Sequence, residues 1–195
     1  MRLRRIVPRL TVSRLVASKA RQMSRLFVGE FRLSMTLAIR PTPPDHPQVQ
    51  ALIAELDAYL ASVYPPEENY LLDLSGLKQP GVTFLGAWMG ETLVGCGAVR
   101  TMPGEAATDG LPYGEIKRMF VSPVHRGARI GARILEQLEA ALTAQGIDRA
   151  LMETGEELAQ ATRMYRAAGY VDRKEFGEYP DNGSSLFLEK RWTAA

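Results

Sequence analysis

The chain has 195 residues, 46% of them apolar and 24% charged, with a formal net charge of +2. That length suits one domain of ordinary size with a real core, and the composition is that of a soluble globular protein. No apolar run approaches the ~20 residues a membrane-spanning helix needs, which excludes one, and a single cysteine, Cys96, rules out an internal disulfide and fits a reducing, cytoplasmic setting.

The charge is unevenly placed. Residues 1–34 hold nine Lys/Arg against one acid, Glu30, which leaves residues 35–195 with 15 basic and 21 acidic groups, net −6. Three readings of the basic extension stay open: an organelle transit peptide by composition, a basic arm for nucleic acid or anionic lipid, or an upstream stretch ahead of a mis-assigned start. The last is suggested by Met35, which opens "MTLAIRP" as a natural first strand. None of the three places chemistry there. Because the body is acidic, no nucleic-acid or membrane partner is expected for it, and residues 35–195 are read as the working domain.

From Met35 strands and helices alternate. Residues 36–40 read as a strand stopped by Pro41, Pro43 and Pro44. Asp45 offers an N-cap, with Gln48 completing a capping box. Val49, Leu52, Ile53, Leu56, Leu60 and Val63 then follow at helical spacing, until "YPPEENY" breaks the helix. Residues 82–88 and 92–99 predict a hairpin turning at Gly90. Its apolar "VGCGAV" buries Cys96 as a packing residue, not a nucleophile. After a loop over 101–114 comes a strand, "EIKRMFV", at 115–121. Ile130, Ile134, Leu138, Ala141 and Leu142 line one face of a second helix, with Gly146 as terminator. A strand at 149–154, a helix striped by Leu158, Ala161, Tyr165 and Ala168, and two strands near 170–176 and 184–190 complete the order β-α-β-β-β-α-β-α-β-β, a mixed α/β domain. His46 and His125 lie far apart and no Cys/His cluster has ligand spacing, so no metal site is expected.

The stretch "SPVHRGARIGARIL" passes from strand to Gly-containing loop to helix. The first-turn N–H groups of a helix lack intrahelical partners and carry partial positive charge, so such a junction is a ready anion site. It is neither the dinucleotide fingerprint nor the Walker pattern. Taken alone, the loop could equally be a solvated basic helix start.

Its surroundings add to this. The run from "EIKRMFVSPVHRGARIGARILEQLEAAL" through "LMETGEELAQATRMYRAAGY" resembles the GCN5-related N-acetyltransferase (GNAT) superfamily. In that family a strand ending like Met119-Phe120-Val121 leads into a loop like Arg126-Gly127-Ala128-Arg129-Ile130-Gly131. A motif like Tyr165-Arg166-Ala167-Ala168-Gly169-Tyr170 follows some thirty residues later. The resemblance implies a single domain with a mixed, mostly antiparallel sheet flanked by helices. It implies acetyl-CoA as co-substrate, its pyrophosphate on the N–H groups from Gly127 to Ala132 and its pantetheine arm paired along Met119–Val121. It also implies transfer of the acetyl group to a primary amine, on a small molecule or a peptide. Tyr165 would be the general acid, and either Glu115 or Glu153 the base.

Two positions depart from the family pattern. Arg129 stands where glycine is usual: helical geometry there would cost arginine little, whereas φ > 0 would weaken the cofactor site. Leu158 replaces an asparagine that contacts the cofactor. These departures keep open an alternative, a non-catalytic GNAT-fold module that senses acyl-CoA. Homodimers are frequent in the family, and a homodimer is open here too. The identity of the acceptor is not encoded in these motifs.

Overall fold

Apolar positions of period two build the centre of the molecule. In the computed structural model of the chain, which describes residues 36–180 and 183–193, seven strands form one mixed sheet. They are β1 (Leu37–Pro41), β2 (Val82–Met89), β3 (Thr92–Met102), β4 (Tyr113–Val121), β5 (Arg149–Gly155), β6 (Val171–Asp172) and β7 (Ser185–Arg191). Helices α1 (Pro47–Val63), α2 (Ile130–Thr143) and α3 (Ala159–Ala167) are interleaved among them in the predicted order. The spatial order is β1-β2-β3-β4-β5-β7-β6, and every neighbouring pair is antiparallel except β4 with β5. The compact unit starts at Leu37. The basic extension expected over 1–34 lies outside the described residues.

Side chains alternate between the two faces of a strand, so a sheet this apolar needs cover on both. Ile130, Ile134, Leu135, Leu138 and Leu142 of α2 pack with Leu85, Ala87, Val94, Val99 and Ile116. Val49, Leu52, Ile53 and Leu56 of α1 pack in a second cluster with Phe84, Trp88, Cys96, Ala98 and Phe120. At ~1.5–3 kcal/mol for each large apolar side chain buried, five such residues hold α2 firmly on the sheet, and with it the loop that leads into it. Cys96 is fully buried there, and that burial pushes its thiol up to about 12.

Three local expectations are adjusted. The cap of α1 is His46, whose Nδ1 accepts from the Gln48 N–H at 3.2 Å. Pro47 takes the first helical position and moves the cap one residue past Asp45. Gln48 bonds instead to the β2–β3 turn, where its amide donates to the Glu91 carbonyl at 3.0 Å and accepts from the Leu93 N–H at 2.9 Å. Strand β6 is shorter than expected. Arg173 N–H still reaches the Phe187 carbonyl, but Phe176 then joins Tyr113, Leu151 and Phe187 in a third apolar cluster.

Candidate active site

Parallel strands β4 and β5 are paired at only two positions, Gly114↔Ala150 and Glu115↔Leu151. Beyond them the strands part. A register shift opposite Cys96–Ala98 bulges β4 and places Arg118 at φ +56, a left-handed conformation that costs a residue with a Cβ ~1–2 kcal/mol. The buried Arg118 side chain is held by two contacts: its Nε donates to the Leu72 carbonyl at 2.6 Å, and its guanidinium pairs with the partly exposed Asp57. The outer edge of β4 from Ile116 to Val121 is therefore left without a strand partner on the β5 side.

That edge opens into a groove of about 670 Å³ between α2 and α3. Met119, Phe120 and Val121 line it, as do Arg126, Gly127, Arg129, Ile130, Gly131 and Ala132. Ala128, exposed in the same loop, does not. Arg126 folds back, its Nε donating to the Val121 carbonyl at 2.9 Å and its guanidinium over the Phe120 ring. Helix α2 begins with no side-chain cap, so its first N–H groups are left for a ligand. Gly127 has φ +84 and open space where a Cβ would stand. Arg129, the N-cap, has φ +58: the arginine occupies a glycine-type conformation, the costly case of the two the sequence allowed. Leu158, the N-cap of α3, also makes no capping bond and lines the groove with its apolar side chain.

At its inner end the groove meets a smaller cavity of about 120 Å³ in the fork between β4 and β5. Tyr165 lines both spaces and is buried, and burial raises its hydroxyl above the ordinary tyrosine value, with the Glu153 charge adding to the effect. The two candidate bases are in different settings. Glu153, on β5, lines the inner cavity, and one of its oxygens accepts from Ser185 Oγ at 2.9 Å. Burial lifts its pKa above the usual glutamate value, with Lys117 and the Ser185 bond opposing. Glu115, on β4, is 1% exposed and lines neither space. Its carboxylate accepts from Arg100 Nε and Nη2 at 3.1 and 2.7 Å and from the Tyr179 hydroxyl.

The inner cavity also gathers side chains that no motif marks. Lys117 Nζ donates to the Tyr70 carbonyl at 2.8 Å and to the Tyr179 hydroxyl at 2.7 Å, and burial lowers its pKa. Tyr64 closes the far side over Gly155, where a Cβ would meet its hydroxyl. A lysine inside the alternating strand "EIKRMFV" is the one local signal among these. Tyr64, Tyr70 and Tyr179 reach the site from loops and a helix end distant in sequence. Among the described residues no three His, Cys, Asp or Glu side chains are grouped to hold a metal ion, and no helix is long and apolar enough to cross a membrane.

A mixed sheet forked between two parallel strands, with an uncapped helix start at the fork, defines a mixed α/β fold with an open anion-binding groove. The chain belongs to the Acetyltransferase (GNAT) family, whose model matches residues 49–170. An "IAA acetyltransferase" of Azospirillum brasilense is 45% identical over 80% of this chain and 97% of its own. A Klebsiella pneumoniae structure, provisionally named an acyl-CoA N-acyltransferase, superposes with a TM-score of 0.66 at 31% identity, covering 80% of this chain and 97% of that one. The PaiA N-acetyltransferase of Thermoplasma acidophilum, solved in complex with coenzyme A, shares the fold with a TM-score of 0.63 at 19% identity, over 81% of this chain and 100% of that one.

Proposed function

We propose that this protein transfers the acetyl group of acetyl-CoA to a primary amine by direct attack. The observation that carries the reading is the fork between β4 and β5, which puts a free strand edge, an uncapped helix start and Tyr165 into one continuous groove. The residues present fit the cofactor. Backbone N–H groups from Gly127 to Ala132 would take the pyrophosphate, and the β4 edge over Met119–Val121 would take the amide-bearing arm. Arg126 caps the Val121 carbonyl from one side, so the arm would share or displace that bond. When bound, acetyl-CoA supplies an activated thioester.

Glu153 is the better placed of the two carboxylates to accept the proton of the acceptor ammonium, since it faces the cavity and burial makes it more basic. The freed nitrogen forms its bond to the acetyl carbon while the carbon–sulfur bond breaks. Tyr165, kept protonated by burial, gives its proton to the departing sulfur, whose negative charge the same buried site disfavours, and the second proton lost by the acylated nitrogen returns to the Tyr165 oxygen. Glu115, saturated by Arg100 and Tyr179, holds the β4 side of the fork in shape.

The test combines binding with turnover. Acetyl-CoA at about 100 times its Kd should stabilise the fold by ~2.7 kcal/mol, read as a rise in melting temperature. Free thiol should appear when primary amines are supplied. Tyr165→Phe should lower kcat by about 10²–10⁴ while the acetyl-CoA melting shift persists. A melting shift without thiol release from any acceptor would instead make the protein an acyl-CoA-sensing module.

A further inference from the structure

We propose that the acceptor is a small amino acid, or a similarly compact compound with a carboxylate beside its amine, and that Lys117 binds the carboxylate while Glu153 faces the amine. The proposal rests on the acetyl-transfer reading above and names the substrate class of the same site. The inner cavity is lined from β4 by Lys117 and Arg118 and from β5 by Glu153, with Glu68 adding a second carboxylate from the turn that follows α1.

Lys117 and Glu153 face the same space, and among the described residues no direct ion pair joins them. Arg118 is paired with Asp57. Arg100 and Lys117 both lean on Glu115, with Nη2 at 2.7 Å and Nζ at 3.8 Å, so two cations share one carboxylate. Lys117 spends two of its three N–H donors on Tyr70 and Tyr179. Across the fork Glu153 has one oxygen on Ser185. The cavity is thus lined by a cation from β4 and a carboxylate from β5, with Glu68 from the turn after α1. Buried charges are costly where their hydrogen-bonding capacity is incompletely filled, and one ligand bearing both charges answers both groups at once. A simple amine answers only the carboxylates. Desolvation is the largest influence on each group, lowering the pKa of Lys117 and raising that of Glu153, and the charge of each opposes the other's shift. The cavity, about 120 Å³, is small beside ordinary ligand pockets, which suits a compact acceptor.

The test uses the full chain with acetyl-CoA and thiol detection, on amino acids each paired with its carboxamide and its decarboxylated amine. The amino acid should be preferred by at least about tenfold in kcat/KM, the loss expected when a charged hydrogen-bond partner is removed. Lys117→Met should bring that ratio toward one, mostly through KM, and Lys117→Arg should restore it. Because the ratio is first measured on the wild-type protein, the proposal does not depend on the variants folding. Equal or better use of the carboxamides and simple amines would overturn it and leave acetyl transfer standing. A failure of every acceptor, with no acetyl-CoA melting shift, would overturn the acetyl-transfer reading itself.

Discussion

Glu153 carries two opposing demands in one side chain. Burial raises its pKa in the folded chain, so its contribution to stability is present below the unfolded-chain value and is lost as pH rises through the folded one. At neutral pH the fold therefore holds a carboxylate it would hold more cheaply as a neutral group. Glu153→Gln should raise the melting temperature at neutral pH, and the gain should shrink toward acid pH, where the wild-type side chain is itself protonated. Acetyl transfer should move the other way, falling by about 10²–10⁴ with loss of the acidic limb of the pH–rate profile. Thermal melts and rates taken across pH on one preparation read both effects, and a variant both less stable and fully active would remove Glu153 from the chemistry. In the sequence Glu115 and Glu153 are alike, two glutamates near strand ends. What separates them comes from far along the chain: Arg100 and Tyr179 lie 15 and 64 residues from Glu115. No local pattern could have supplied that.

At the scale of elements, the strand–loop–helix unit from β4 to α2 was legible because its signals are local. Apolar period two, a loop glycine and a helical stripe each fall within a few residues. The cap of α1 and the length of β6 were less so, because a proline shifted one and the burial of Phe176 ended the other. The backbone angle at Arg129 was the open point in this unit, and it proves left-handed. Arginine pays ~1–2 kcal/mol for that conformation, while glycine would give back ~0.5–1 kcal/mol as extra freedom of the unfolded chain. Arg129→Gly should thus gain about 0.5–1 kcal/mol, a rise of about 1–4 °C in melting temperature for a chain of this size. The acetyl-CoA melting shift should persist in the variant, since the N–H groups at the start of α2 belong to the backbone. A loss of that shift with the fold intact would mean that the guanidinium itself holds the cofactor's phosphates.

Across the whole molecule, charge and chemistry are divided. The cleft residues all lie within the compact unit that starts at Leu37, and residues 35–195 are net −6, whereas nine of the 24 basic residues sit in the first 34 positions. A field of that sign over the body suits cationic groups and disfavours a polyanion, so affinity for a polyanion would have to come from the basic extension. Removing residues 1–34 should turn a chain of sequence pI about 8.8 into an acidic protein that no longer binds a heparin column at low salt. Its kcat/KM for acetyl-CoA and acceptor should stay within about twofold of the full chain, since the residues that line the groove and the inner cavity all belong to the unit Leu37–Ala195. A truncated protein that keeps its fold but loses turnover would show that the extension takes part in acetyl transfer, and the division of labour drawn from the charge distribution would then be wrong.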